Sequence, residues 1–171
     1  MPLRPGRCYK GLKKPPYTRK DYISGIPQPK IVKFVMGGGV GASCVVKLVS
    51  REDVQIRHNA LEAARVMSHK FLSKYVGDDN YLLIIRSYPH HVLRENKMMA
   101  FAGADRLQDG MRLSFGRPIG TAARVREGDV VAEIRVPEKF IPQAKEAMRR
   151  MLSKIGIKAE VVIENLSEVK K

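Results

Sequence analysis

Four histidines, two cysteines and one glycine cluster are the places where this 171-residue chain could do chemistry. His58 and His69 are not at the i,i+4 spacing that would put two ligands of one metal on a helix face. His90 and His91 are adjacent at the start of a strand-like run, so their side chains are expected on opposite faces. Cys8 and Cys44 form no CxxC pair and have no neighbouring base, which suits a reducing compartment and argues against a zinc site or disulfide framework. In "GGGVGA" (37–42), Gly37, Gly39 and Ala42 fit a loose G-x-G-x-x-G/A pattern, but that fingerprint must open a helix. The β-branched "SCVVKLVS" follows instead. Ala42 and Ser43 also stand where a Walker loop requires Gly and Lys, so the segment reads as a hairpin turn. Asp105 and Asp109 could imitate an acid–base pair, yet among glycines and arginines they are expected to fix turns or neutralise charge. No GxSxG occurs. These patterns call for no catalytic residue, metal or cofactor.

The charge points elsewhere. Thirty-two Lys and Arg face 17 Asp and Glu, a formal net charge of +15. Such an excess destabilises a small domain by self-repulsion, so a polyanionic partner is the natural reading, with nucleic acid ahead of an anionic membrane surface. No apolar run is long enough to span a bilayer, and the N-terminus lacks the apolar core of a secretory signal, so neither membrane insertion nor export is expected. Residues 1–29 hold six of the ten prolines. They also carry Arg4, Arg7, Lys10, Lys13, Lys14, Arg19 and Lys20 ahead of the first acidic residue, Asp21, with Tyr9, Tyr17 and Tyr22 interleaved. Prolines disfavour helix and like charges cannot share a core, so alone the segment is expected to be extended or disordered and to add little apolar burial. It is either a solubilising tail or, the favoured reading, an arm. Its cations can lie along phosphates, and its tyrosines can stack on bases or sugars.

The elements that must position these residues begin at Lys30. "KIVKFVM" (30–36), "SCVVKLVS" (43–50), "YLLIIRSYP" (81–89), "HVLRENK" (91–97) and "KAEVVIE" (158–164) read as strands. "GTAARVR" (120–126) and "DVVAEIRV" (129–136) flank Glu127-Gly128, a hairpin signal. Residues 59–77 predict a helix, with Asn59 and Glu62 as a capping-box-like start and Gly77 as its stop. Its apolar face, Leu61, Ala64, Phe71, Leu72 and Tyr75, should pack on a sheet. Residues 141–156 predict a second helix, opened by Pro142 and closed by Gly156. Ala144, Ala147, Met148, Met151, Leu152 and Ile155 form its inner stripe, leaving Lys145, Arg149, Arg150 and Lys154 outside. Strands and helices alternate without βαβ spacing, so the expected class is α+β: an α/β sandwich with a mixed or antiparallel sheet and two main helices. The domain spans 30–165, and residues 166–171 form a tail.

Between the strands lies "GADRLQDGMRLSFGRP" (103–118), which follows no period. Connections in compact domains usually run about 4–6 residues. Arg106, Arg112, Arg117 and Arg124 are spread along a glycine-rich stretch whose ends are held by strands. Arginine presents a planar fork of donors that matches phosphate and stacks on bases, and glycines let a backbone approach another surface. This is a loop suited to probing structured RNA.

"ADRLQDGMRLSFGRPIGTAARV" (104–125) closely resembles the signature of a large-subunit ribosomal protein family. It is called L-ten-e in archaea and eukaryotes, and universal L-sixteen when bacterial relatives are included. The resemblance continues through "GRCYKGLKKPPYTRKDYISGIPQPKI" (6–31) and spans essentially the whole chain; the lack of a long C-terminal extension looks archaeal. The resemblance implies an α/β sandwich on large-subunit rRNA beside other large-subunit proteins, in cytoplasmic ribosomes, and monomeric when isolated. It further implies that the flexible loop 101–117 points toward the peptidyl transferase centre near tRNA, with Gly103, Asp105, Arg106, Gly110, Met111, Arg112, Phe115 and Gly116. RNA would perform the chemistry there. An RNA-modifying enzyme using the loop as a lid, and a free RNA chaperone or assembly factor, are the competing readings.

Overall fold

The β-branched runs of the sequence become strands of two antiparallel sheets in the computed structural model, which describes residues 4–12, 14–96 and 115–166. In chain order the elements are β1 (Val35–Met36), β2 (Cys44–Ser50), β3 (Val54–Arg57), α1 (His58–Tyr75), β4 (Leu82–Ile85), β5 (His91–Glu95), β6 (Arg117–Val125), β7 (Val130–Val136), α2 (Ile141–Ile155) and β8 (Ala159–Asn165). The larger sheet has the order β1-β4-β7-β2-β8 and the smaller β3-β6-β5. All pairings in both are antiparallel. The fold is α+β, as expected, with two sheets.

The helices close the core. α2 packs on β2, β7 and β8, α1 packs on β3 and β6, and the two helices pack most extensively on each other. Ala64 of α1 and Ala144 and Ala147 of α2 are fully buried, and their small side chains let other elements come close. Around them lie Leu61, Leu72, Met148 and Met151, with Val46, Leu48, Ile134, Val54 and Val125 from the sheets. Pro142 opens α2 and Gly156, in the left-handed region, caps it. α1 ends at its cap Val76, and Gly77 follows at positive φ, its N–H donating to the Leu72 carbonyl. Phe71 packs against the core as a half-buried residue, whereas Tyr75 departs from the expected inner face of α1: it is exposed, its ring tilted against that of Phe71.

Several local expectations are corrected. Asn59 does not cap α1. The helix begins one residue earlier, Asn59 Oδ1 accepts from the Ala60 N–H, and Glu62 turns to Arg65 and the Val32 N–H. "GGGVGA" is no hairpin turn, because β1 pairs with β4 and not with β2. Its glycines lie instead against the backbone entering β4, with Gly38 and Gly39 donating to the Asp78 and Tyr81 carbonyls. A Cβ on Gly37 would stand 2.1 Å from the Tyr81 oxygen, so only glycine allows this approach. Glu127-Gly128 does turn the chain, but β6 and β7 belong to different sheets. β7 is paired with β4 on one edge and β2 on the other, and Val131, Ala132, Glu133 and Ile134 are buried on both of its faces.

Candidate RNA interface

The small sheet positions the cationic segments. Its inner face, with Val54, Ile56, Ala123 and Val125, joins the core. The cross-strand pairs Gln55–Arg124, Arg57–Ala122 and Ala122–His91 occupy the opposite face. The N-terminal segment lies across that face. Lys10 O accepts from the Gln55 N–H at the β3 edge (3.0 Å), and Tyr17 O accepts from the Val92 N–H at the β5 edge (3.0 Å). Between them the Arg124 guanidinium donates to Leu12 O at 2.9 Å, while Arg57 donates to Arg4 O at 2.8 Å. Both sheet edges are thus occupied by the chain's own arm, which blunts them against pairing with other strands. Ala122 is fully buried although it faces away from the core.

Two neutral imidazoles hold the arm and the first residue after it. His91 Nδ1 accepts from the Tyr17 N–H and His58 Nδ1 from the Lys30 N–H, each at 2.8 Å. Burial, then the cations Arg124 and Arg94 and the neighbouring His90, push His91 down to about 4. Burial, Lys30 and Arg57 lower His58. Glu95 gathers the chain's start, pairing with Arg4 at 2.7 Å and accepting from the Tyr9 hydroxyl at 2.9 Å. Burial and that hydrogen bond push the Tyr9 phenol up to about 12. Ile23, 7% exposed, is the arm's apolar anchor.

The arm meets the base of the long loop. β5 and β6 pair down to Glu95–Arg117, where the loop departs. There the Arg94 guanidinium lies 4.0 Å from the Tyr17 ring centroid and 5.9 Å from that of Phe115, a cation between two rings. Phe115 is 79% exposed. A cleft of about 700 Å³ joins Arg4, Tyr9, Lys14, Tyr17, Arg94 and Phe115.

Of the sequence-derived RNA contacts, Arg7, Lys14, Arg19, Lys20 and Arg117 are exposed. Lys10 pairs with Glu52 at 2.7 Å, and Arg4 and Arg124 are engaged as above. Lys13, Gly103, Asp105, Arg106, Gly110, Met111 and Arg112 lie outside the described residues. Gly116 is described, at φ +75°, with Phe115 beside it. The outer cations of α2 are exposed, although Arg150 is paired with Glu146 and stacked on Phe71 at 4.1 Å. Sequence reasoning missed Arg94, Glu95 and the acceptor roles of His58 and His91. Only a basic residue between strand-like neighbours hinted at the first. Among the described residues no group of three His, Cys, Asp or Glu could hold a metal ion, and no helix is long and apolar enough to cross a membrane.

A strongly basic α+β domain, with a cationic arm strapped beside the root of an arginine-bearing loop, belongs to the class of polyanion-binding proteins. The chain matches the family described as Ribosomal protein L16p/L10e over residues 12–162, and it belongs to that family. It is 63% identical to a large ribosomal subunit protein uL16 of Staphylothermus marinus over 167 residues, covering 97% of this chain and 96% of the relative. It is 56% identical to the protein of that name from Hyperthermus butylicus, covering 98% of this chain and 97% of the relative. The counterpart from Sulfolobus acidocaldarius is also 56% identical, over 98% and 97% of the two chains.

Proposed function

We propose that this chain is a structural constituent of the large ribosomal subunit in the cytoplasm, bound to large-subunit rRNA and helping to organise the tRNA path near the peptidyl transferase centre. Family membership over nearly the whole chain supports the assignment to the subunit. The geometric observation that carries the RNA reading is the meeting of arm and loop root at Tyr17, Arg94 and Phe115. Through that contact the exposed cations of two distant chain segments are presented side by side. Exposed Arg7, Lys14, Arg19, Lys20 and Arg117 supply charge for phosphates, and the loop rooted at Arg117 is the part that serves the tRNA path. The protein positions RNA and leaves covalent chemistry to it. Residues 1–29 act as the arm and 30–165 as the rRNA-binding body.

The test is the salt dependence of binding to a large-subunit rRNA fragment. With about 6–10 phosphate contacts, affinity falls roughly a thousandfold or more between about 50 and 200 mM salt. A nearly flat dependence would overturn the electrostatic reading.

A further inference from the structure

The arm carries a notch that charge pairing alone does not explain. Pro16, Tyr17, Thr18, Arg19 and Tyr22 line a cleft of about 360 Å³ built from one turn of the chain. Its two aromatic walls differ in how they are held. Tyr17 is fixed three ways: its N–H donates to His91 Nδ1, its carbonyl accepts from Val92, and its ring rests on the Arg94 guanidinium. Tyr22 ends a short 3-10 turn in which its own N–H donates to Arg19 O and the Ile23 N–H to Lys20 O. Buried Ile23 anchors that turn and leaves the Tyr22 ring 82% exposed. A large ring held out in water by its neighbour's burial makes no use of its apolar area within the chain. The lining includes a guanidinium and no carboxylate, although Asp21 belongs to the same turn.

We propose that this notch takes an unpaired nucleobase of single-stranded RNA, stacked on Tyr22 against the Tyr17 wall, with Arg19 on the flanking phosphate. The inference rests on the RNA-binding reading above and names the ligand of one part of that surface. A planar base matches an aromatic wall whichever base it is, and the adjoining cation matches its phosphate. The Arg94 cation behind Tyr17 keeps that wall in place before RNA arrives, so little ordering remains at binding. A Pro-rich peptide would also suit tyrosines, but it offers nothing to Arg19.

The experiment uses the full chain and an RNA strand of about ten nucleotides with 2-aminopurine at its centre, single or annealed to its complement. The parent quenches the fluorescent base in the single strand and not in the duplex. Tyr22→Ala, at an exposed position, loses the quench and binds the single strand roughly fivefold to a hundredfold more weakly, with an unchanged salt slope. Tyr22→Phe restores both. Arg19→Ala keeps the quench and lowers the salt slope by about 0.7. Unchanged affinity and quench in Tyr22→Ala, with steep salt dependence retained, overturns the notch and leaves the RNA-binding reading standing. Displacement of the RNA by a Pro-rich peptide at the same residues overturns it in favour of a protein partner. A parent whose RNA binding is flat in salt brings down both readings.

Discussion

Replacing Gly116 with alanine tests whether the root of the long loop is a rigid part of the fold. Gly116 has φ +75°, which costs an L-residue about 1 kcal/mol or more. A Cβ there would stand 2.5 Å from the Glu95 carbonyl carbon, 2.7 Å from the Asn96 nitrogen and 2.9 Å from the Glu95 nitrogen. All three neighbours are backbone, so no side chain can swing away. Relief requires opening the β5–β6 ladder at its last pair, Glu95–Arg117, which gives up about 1 kcal/mol for each hydrogen bond lost. Together these give about 3 kcal/mol, or a drop of roughly 6–12 °C in Tm for a chain of this size. Gly128→Ala is the control, because its φ is +87° but nothing lies within 4 Å of the added Cβ. It should cost only about 1 kcal/mol. Urea denaturation of both variants, with amide exchange across 93–95 and at Arg117 and Ile119, separates backbone strain from the clash. Equal losses in the two variants would refute the claim that β5 and the loop root are in fixed contact.

The arm's imidazole contacts give a pH prediction. His91 is neutral when it accepts from Tyr17, and its value near 4 lies below the ordinary 6.5. Arm docking is therefore complete above about pH 6.5 and weakens as the pH falls toward 4, by at most about 1.4 kcal/mol per pH unit for one proton, less for a half-exposed ring. His58 acts in the same direction. The protection factor of the Val92 amide, its exchange rate relative to that of an unprotected amide at the same pH, should fall over that range in the parent and not in His91→Asn, whose amide oxygen can accept without titrating; identical protection profiles would count against the contact. In the core, Met148→Ala should cost about 2–5 kcal/mol by denaturation, because the side chain is fully buried between the helix layer and the sheets.

How much of this was legible in the sequence depended on whether a signal was local. α2 could be read from Pro142 and Gly156 because both act through backbone geometry at their own positions. The strands flanking the loop were equally plain, and β5 and β6 do pair. Partner choice was not local. Glu127-Gly128 makes the turn it signals, yet β7 pairs with β4 and β2 in the larger sheet and not with β6. β3, only Val54–Arg57, is too short to stand out beside its charged neighbours. The arm was recognised by its cations and tyrosines, but its docking was hidden. Those contacts run from arm carbonyls to Gln55, Val92 and Arg124, and a carbonyl has no signature in sequence. The acceptor roles of His58 and His91 were obscured for the same reason, since their partners are backbone N–H groups.

The most direct measurement of the central claim is the fate of this chain when large ribosomal subunits from its own cells are washed in high salt and sedimented. A constituent seated through the arm, the body and the loop stays with the subunit in a single stoichiometric copy, and depleted subunits regain tRNA accommodation when the chain is added back. Substoichiometric protein that leaves in the wash, with no loss of peptide synthesis, would contradict the account and favour a transient enzyme or chaperone.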